Sequence, residues 1–333
     1  MSPNVSIVVP CYNEEGTIGT LLQAILDQTY PRRQMEVVIA DGMSDDGTRE
    51  VIDEFRQAHP NLEIRVVQNP RRAIPSGLNL AMQQARGGFL VRLDAHSIPI
   101  PEYVERCVED LNAGKGVNVG GVWNIRPGGA GPMARGIAAA AAHPLGAGDA
   151  LYRVGALAGP VDTVPFGAFR REVFERMGGF DETLLTNEDY EFNLRIRQSG
   201  GLVWLDPRIA STYLARPNLR SLAAQYWRYG YWKCRMLLRY PGSVRWRQAL
   251  PPIFVTGLIG LGVTASLWRP ALYGLGAALG VYLAAILAGA ISIRPRNRGA
   301  PVAATAMALV TMHLAWGGGF VWSLITSFAR LRG

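Results

Sequence analysis

Apolar positions in the first two-thirds of the chain follow two alternating periods. Val5-Ser-Ile-Val-Val9, Met35-Glu-Val-Val-Ile-Ala40, Ile64-Arg-Val-Val-Gln68 and Phe89-Leu-Val-Arg-Leu93 are short β-branched runs closed by polar or turn residues, and they predict four strands. Between the first two, Ile18, Leu21, Leu22, Ile25 and Leu26 recur at the spacing of one helix face. Thr48–Ala58 and Ser76–Arg86 read as the next two helices. This alternation predicts an α/β domain whose sheet is mostly parallel and covered on both faces. Ligands of such sheets bind beyond the carboxyl ends of the strands. The polar clusters Pro10-Cys-Tyr-Asn-Glu14, Asp41-Gly-Met-Ser-Asp-Asp-Gly47 and Asp94-Ala-His96 all fall there.

The pattern then changes. Residues 126–161 are rich in Gly, Ala and Pro and suit either a helix or a mobile loop, but not a membrane span. Leu219 to Tyr240 reads as a basic amphipathic helix crowded with Tyr226, Trp227, Tyr229, Tyr231 and Trp232. Cations beside amphipathic rings suit a helix lying among lipid headgroups, while packing on the N-terminal domain is the alternative. Pro252–Trp268, Pro270–Ile291 and Pro301–Phe328 contain no charged side chain and approach or exceed the roughly 17–25 residues of a spanning helix. We therefore expect a cytosolic domain over 1–217, interface helices over 218–250 and a transmembrane region of about three helices over 251–333.

Charge sharpens this division. The last acidic residue is Asp206; residues 1–206 hold 19 basic and 26 acidic groups, a net of −7, and residues 207–333 hold 15 basic groups and no acid. A lone soluble domain rarely has so one-sided a surface. Nucleic acid is not an expected partner, because the basic residues are interspersed with membrane-length apolar runs. Arg294, Arg296 and Arg298 place the loop between the last two spans in the cytosol by the positive-inside rule. Arg330 and Arg332 then fall outside, unless the last span is partly re-entrant around Gly317-Gly-Gly319. Cys11, Cys107 and Cys234 are too few and too scattered for a disulfide framework, and no secretory signal opens the chain. A multi-pass protein of the inner membrane with its N-terminal domain in the cytoplasm is the expectation.

Three constellations could carry chemistry. On an extended segment Asp94 and His96 point the same way, so a carboxylate and an imidazole could converge on a divalent ion, Mn²⁺ in preference to Mg²⁺; a surface turn is the plainer account. In Thr186-Asn-Glu-Asp-Tyr-Glu191, Thr186 or Asn187 suits an N-cap, with Glu188 and Asp189 in the first helical turn as acid/base groups or as mere caps. Arg71, Arg72 and Asn79 follow the third strand, where they could meet a diphosphate or form a solvated loop. The glycines of Asp41–Gly47 match neither a Rossmann nor a Walker fingerprint.

In this order the motifs resemble the family-2 inverting glycosyltransferases of GT-A fold, and within them the succinoglycan-type membrane-attached glucosyltransferases, over about residues 5–250. The resemblance implies that Pro10, Tyr12, Glu14 and Asp41 hold the nucleotide base, that Arg71, Asn79 and Asp94 serve the donor, and that Asp94 with His96, in place of the usual DxD, binds Mn²⁺ or Mg²⁺. Val164-Pro-Phe-Gly-Ala-Phe-Arg-Arg171 and Gly178-Gly-Phe-Asp-Glu182 look like the acceptor-side segment. Glu188-Asp189 stands for the family's ED motif, with Asp189 as general base. Gln225-Tyr-Trp-Arg-Tyr229 is similar to the QxxRW of processive synthases with Tyr229 for Trp, giving donor contacts to Gln225 and Arg228. The implied reaction moves one hexose from a UDP-sugar, UDP-glucose first among them, to a polyprenyl-diphosphate-linked saccharide. Implied partners are the donor, the lipid-linked acceptor, the membrane and a second copy of the chain. A polyprenyl-phosphate glycosyltransferase and a silent UDP-sugar-binding subunit are the alternatives.

Overall fold

A computed structural model describes residues 3–243, 245–293 and 299–330. The chain forms two compact units, Met1–Asn124 with Gly155–Tyr213, and Ile125–Val154 with Leu214–Gly333.

The first unit is built on a sheet. Strands β1 (Val5–Cys11), β2 (Met35–Asp41), β3 (Glu63–Gln68) and β4 (Phe89–Arg92) are parallel, in the order 3-2-1-4. Their connections are α1 (Ile18–Leu26), α2 (Thr48–Ala58) and α3 (Ile74–Gln84). The register pairs Cys11 with Asp41, Asp41 with Gln68 and Val8 with Arg92. The four carboxyl ends therefore open at one edge, and that edge carries every loop with chemistry. β1 and β2 are buried along their whole length, as expected of strands covered on both faces. The apolar face of α1 (Ile18, Leu21, Leu22, Ile25) joins Val5, Ile7, Val9, Val37 and Ile39 in the core, with Tyr103, Val104 and Cys107 of α4 (Tyr103–Asn112).

Beyond β4 the sheet departs from the expected parallel order. β5 (Ile98–Pro99), β6 (Asn118–Pro127), β7 (Gly159–Val161), β8 (Ala168–Arg170) and β9 (Val203–Ala215) extend it as 4-8-6-9-5, with β7 on β9. β8 pairs antiparallel with both β4 and β6, and β9 pairs antiparallel with β5 and β7. β5, β7 and β8 are two or three residues long and β6 carries a Gly pair, so no period marks them in the sequence. The Gly/Ala-rich stretch is helical at α5 (Pro132–Ala141), α6 (Pro144–Ala147) and α7 (Leu151–Val154). Helices α8 (Arg171–Met177) and α9 (Glu188–Gln198) complete the first unit.

The second unit is helical. α10 (Leu219–Arg239) is the expected basic amphipathic helix, started by Asn218, whose side chain accepts from the Ser221 amide at 2.9 Å. It is followed by α11 (Trp246–Leu267), α12 (Pro270–Ile293) and α13 (Val302–Arg330). Among the described residues three helices are long and apolar enough to cross a membrane, over Gln248–Leu267, Pro270–Ile293 and Val302–Ser327. α13 runs unbroken through Gly317–Gly319, so the re-entrant alternative is not what forms. Those glycines serve close packing instead. A side chain at Gly318 would meet the Trp227 ring at 2.9 Å, and one at Gly230 would meet the Trp316 carbonyl oxygen at 2.0 Å. The buried face of α10 is thus covered by α13. Arg235 stacks over Tyr231 and Trp232 at 4.8 and 5.3 Å. The basic segment Arg294, Arg296 and Arg298, and Arg332, lie outside the described residues.

Candidate active site

The loops after β1 and β2 are stapled to each other. The Asn13 amide donates to Ser44 Oγ at 2.9 Å, its side chain exchanges bonds with Asp45, and the Glu14 amide donates to Thr48 Oγ1 at 2.8 Å. Gly42 lies against Tyr12, where a Cβ would come within 3.0 Å of the Tyr12 Cβ and 3.1 Å of its ring. Tyr12 is 39% exposed; Arg72 lies 5.2 Å over its ring and donates to its hydroxyl at 3.2 Å. Asn13, Met43, Arg72, Phe166 and Asn187 are the non-glycine residues with positive φ among the described residues, and all lie in loops of this unit. Such backbone costs of order 1–3 kcal/mol each and gathers where a site fixes its loops.

The carboxylates meet at the end of β4. Arg92, 2% exposed, donates from one terminal nitrogen to Asp94 Oδ1 and Glu188 Oε1, both at 3.0 Å, and from the other to Asp189 Oδ1. Burial works against its charge, yet Asp94 and Glu188 hold its pKa above the ordinary guanidinium value. Asp94-Ala-His96 is a turn rather than an extended segment: the Ser97 amide and hydroxyl both donate to the Asp94 carbonyl, at 2.9 and 2.7 Å. His96 accordingly reaches a different partner, its Nδ1 lying 2.9 Å from Glu14 Oε1. The turn thereby links the β1 loop to the acid cluster.

Glu188 and Asp189 open α9 as the spacing predicts, but Asn187 occupies the N-cap in a left-handed conformation and makes no side-chain cap. Glu191 is fully buried and holds Arg195 through both oxygens at 2.6 and 2.8 Å. Arg195 also donates to the Gly179 carbonyl at 2.6 Å, tying α9 to the Gly178–Glu182 loop.

Several expected donor contacts are otherwise engaged. Asp41 is fully buried, accepting from Ser44 Oγ at 2.6 Å and from Arg49 at 2.5 Å, so it braces its loop from beneath. Pro10 is buried within β1. Asn79 spends its amide on Phe180 and Glu182, bonds of 2.8 to 2.9 Å, and Arg71 is paired with Glu182. These two residues shape the 178–182 loop rather than standing ready for a diphosphate. Gln225 and Arg228 belong to the second unit: Gln225 is buried and donates to the Tyr229 hydroxyl at 3.0 Å, whereas Arg228 is exposed. The Cys11 thiol, pushed up to about 12 by burial and then by Glu14 and Asp41, is no nucleophile. Sequence reasoning missed Arg92. Its signal was an arginine inside a strand predicted to be covered on both faces, where an unpaired charge is untenable.

Among the described residues no group of three or more His, Cys, Asp or Glu side chains is arranged to hold a metal. Asp94 and His96 are nevertheless compatible with one. Arg92, Asp94, Glu188 and Asp189 together carry two net negative charges, which a divalent cation would balance. A carboxylate and an imidazole suit Mn²⁺, with remaining positions left to ligand oxygens and water.

The family model described as "Glycosyl transferase family 2" matches residues 6–178. The "Succinoglycan biosynthesis protein ExoA" of Rhizobium meliloti is 31% identical over 328 residues, covering 97% of this chain and 96% of that protein. A relative in Methanococcus voltae, "Dolichyl N-acetyl-alpha-D-glucosaminyl phosphate 3-beta-D-2,3-diacetamido-2,3-dideoxy-beta-D-glucuronosyltransferase", is 26% identical over 96% of this chain and 97% of its own. Among solved structures, mannosyltransferase PcManGT from Pyrobaculum calidifontis, in complex with GDP-Man and Mn²⁺, superposes with a TM-score of 0.64 at 23% identity. That match covers 94% of this chain and 87% of PcManGT. S. aureus TarS 1-349 in complex with UDP-GlcNAc matches with a TM-score of 0.51 at 16% identity, over 95% of this chain and 90% of TarS 1-349. At these identities the structural matches bear on the fold alone.

Proposed function

This chain belongs to glycosyl transferase family 2 and has the GT-A fold, and on that premise we propose that it transfers a single hexose, with inversion, from a UDP-sugar to a polyprenyl-diphosphate-linked saccharide. UDP-glucose is the favoured donor. The reading places this reaction in polysaccharide biosynthesis at the cytoplasmic face of the inner membrane, with the apolar helices as a multi-pass anchor. The observation that carries it is the convergence of Asp94, Glu188 and Asp189 on Arg92, beside a β1 loop that His96 joins through Glu14.

In this mechanism Asp189 takes the proton of the acceptor hydroxyl as that oxygen attacks the anomeric carbon. The bond to the diphosphate breaks with its electron pair leaving on UDP, and attack from the opposite side inverts the centre. Glu188 shares the anionic wall that receives the proton. Tyr12, with Arg72 across its ring, offers an aromatic surface for the base, and Arg228 is free of the buried face of α10 to meet an anionic group. A Mn²⁺ or Mg²⁺ ion bound by Asp94 and His96 would supply charge neutralisation for the departing diphosphate. The acceptor assignment draws on the basic, aromatic α10 and on the membrane-length helices, and the Methanococcus voltae relative carries a dolichyl-phosphate sugar in its name.

The test uses the purified full-length protein in nanodiscs with radiolabelled UDP-glucose and a lipid-linked saccharide. Transfer to that acceptor, with inverted configuration by NMR, is expected, and bare polyprenyl phosphate should not be glycosylated. Replacing Asp189 by Asn removes the base and keeps the shape, and should lower kcat by about 10²–10⁴-fold. An Asp189→Asn enzyme near the wild-type rate refutes the base assignment.

A further inference from the structure

We propose that Arg92 is the positioning residue of the transfer site: its buried guanidinium holds the carboxylate of Asp189 in the attitude from which it takes the acceptor proton. The inference rests on the function proposed above and adds a residue that the sequence motifs do not contain. Arg92 joins three carboxylates that come from two separated parts of the chain, Asp94 two residues on and Glu188 and Asp189 at the start of α9. Its own place is fixed from both sides. The Arg92 amide donates to the Gly167 carbonyl at 3.1 Å, and the guanidinium carbon lies 5.8 Å over the Phe166 ring. Phe166 is itself held in the left-handed region, with its carbonyl accepting from the Tyr103 hydroxyl at 3.1 Å.

The exposures run in the direction a positioning role requires. The Arg92 side chain is 3% exposed and that of Asp189 25%, so the base is gripped from the protein side and open on the other. Stability gives no reason to keep this arrangement. One cation among three anions in a buried place is a poor stabiliser, and apolar residues of like volume often replace such clusters without loss. Arg92 Nε is buried with no hydrogen-bond partner, so even the arginine's own donors are incompletely used. What the guanidinium does supply is a planar fork whose two terminal nitrogens fix separate carboxylates at set angles, which a lysine ammonium does not.

The experiment measures kcat and KM for donor and acceptor in nanodiscs for Arg92→Met, Arg92→Ala and Arg92→Lys, with circular dichroism as the check on folding. Loss of the fork should cut kcat about 100-fold, the scale of an ångström's misplacement, with both KM values within threefold of wild type. Arg92→Lys should recover part of the loss, and millimolar guanidinium should restore turnover to Arg92→Ala. Adding Asp189→Asn to Arg92→Met should cost little more than Asp189→Asn alone. Wild-type kcat in Arg92→Met overturns the inference, as does a loss that neither lysine nor guanidinium repairs. If Arg92→Met fails to fold, the lysine variant decides: an unchanged kcat overturns the proposal and a kcat-only loss supports it. Absence of transfer by the wild-type enzyme would instead sink the proposed function itself.

Discussion

His96 is oriented by Glu14, and that hydrogen bond bears on what the Asp94-Ala-His96 turn can do. A ring whose Nδ1 is committed to a carboxylate has a fixed tautomer and direction, the support that imidazole ligands of metals usually receive. We therefore expect Glu14→Gln, which loosens that ring, to raise the Mn²⁺ concentration for half-maximal transfer by about 10–100-fold, and His96→Ala to raise it at least as much, measured by metal titration at saturating donor. An unchanged titration in His96→Ala would remove His96 from the coordination shell. At this scale the sequence marked acids that the fold gathers: Asp94, Glu188 and Asp189 meet on Arg92, while His96, two residues on from Asp94, pairs with Glu14. It was silent on Arg92 because the two ends that the guanidinium bridges are almost a hundred residues apart. Nor did it show that Asp41 and Asn79, whose polar groups look available in a motif, are hydrogen-bonded within neighbouring loops once the chain folds.

Elements were legible in proportion to their periodicity. The four parallel strands stand out as apolar, β-branched runs and α1, α2 and α10 as 3.6-residue patterns, and the structure has them within about three residues of the expected bounds. The three-residue strands β7 and β8, and the alanine run of α5, carry no such pattern and became defined only by what they pack against. At the amino ends of the parallel strands, Glu36 of β2 binds four donors. It accepts from Ser6 Oγ and the Arg86 amide at 2.6 Å, from Arg65 at 2.8 Å and from Arg86 Nε at 3.0 Å. Burial alone would raise the pKa of this fully covered carboxyl, but Ser6, Arg86 and Arg65 outweigh it and hold the pKa below the ordinary value. A lowered carboxyl pKa contributes stability that is complete above the unfolded-state pKa and is lost as pH falls through the folded one. Glu36→Gln should accordingly cost about 1–3 kcal/mol at neutral pH, since it weakens the bonds of a buried acceptor while the exposed ends of Arg65 and Arg86 keep access to water. The gap in melting temperature between wild type and variant, read in detergent from pH 7 down to about pH 3, should hold above about 4.5 and narrow below it as the wild type loses its carboxylate. A constant gap would show that charge on Glu36 plays no part.

The whole molecule is organised by where its acids stop. No acidic residue follows Asp206, while 15 basic ones do, and the three long apolar helices all lie in that acid-free part. Large side chains of two of them stand open, Leu267 at 88%, Tyr273 at 83% and Val281 at 72%, surface that lipid would cover. The same asymmetry fixes a direction. Short loops rich in arginine stay on the cytoplasmic side of a bilayer, and Arg294, Arg296 and Arg298 lie between the last two spans. Two of the candidate spans separate the first unit from that segment, so the proposed cytoplasmic first unit predicts that the segment lies in the cytoplasm too and the turn at Arg269-Pro270 outside. Cysteine labelling can decide this against little background, because Cys11, Cys107 and Cys234 are all buried and free. In right-side-out vesicles an impermeant maleimide should label Arg269→Cys directly, and Gly299→Cys only after the membrane is opened. The reverse pattern would put the acid cluster on the far side from cytoplasmic nucleotide sugars, and no reading of Asp189 as their base could stand with it.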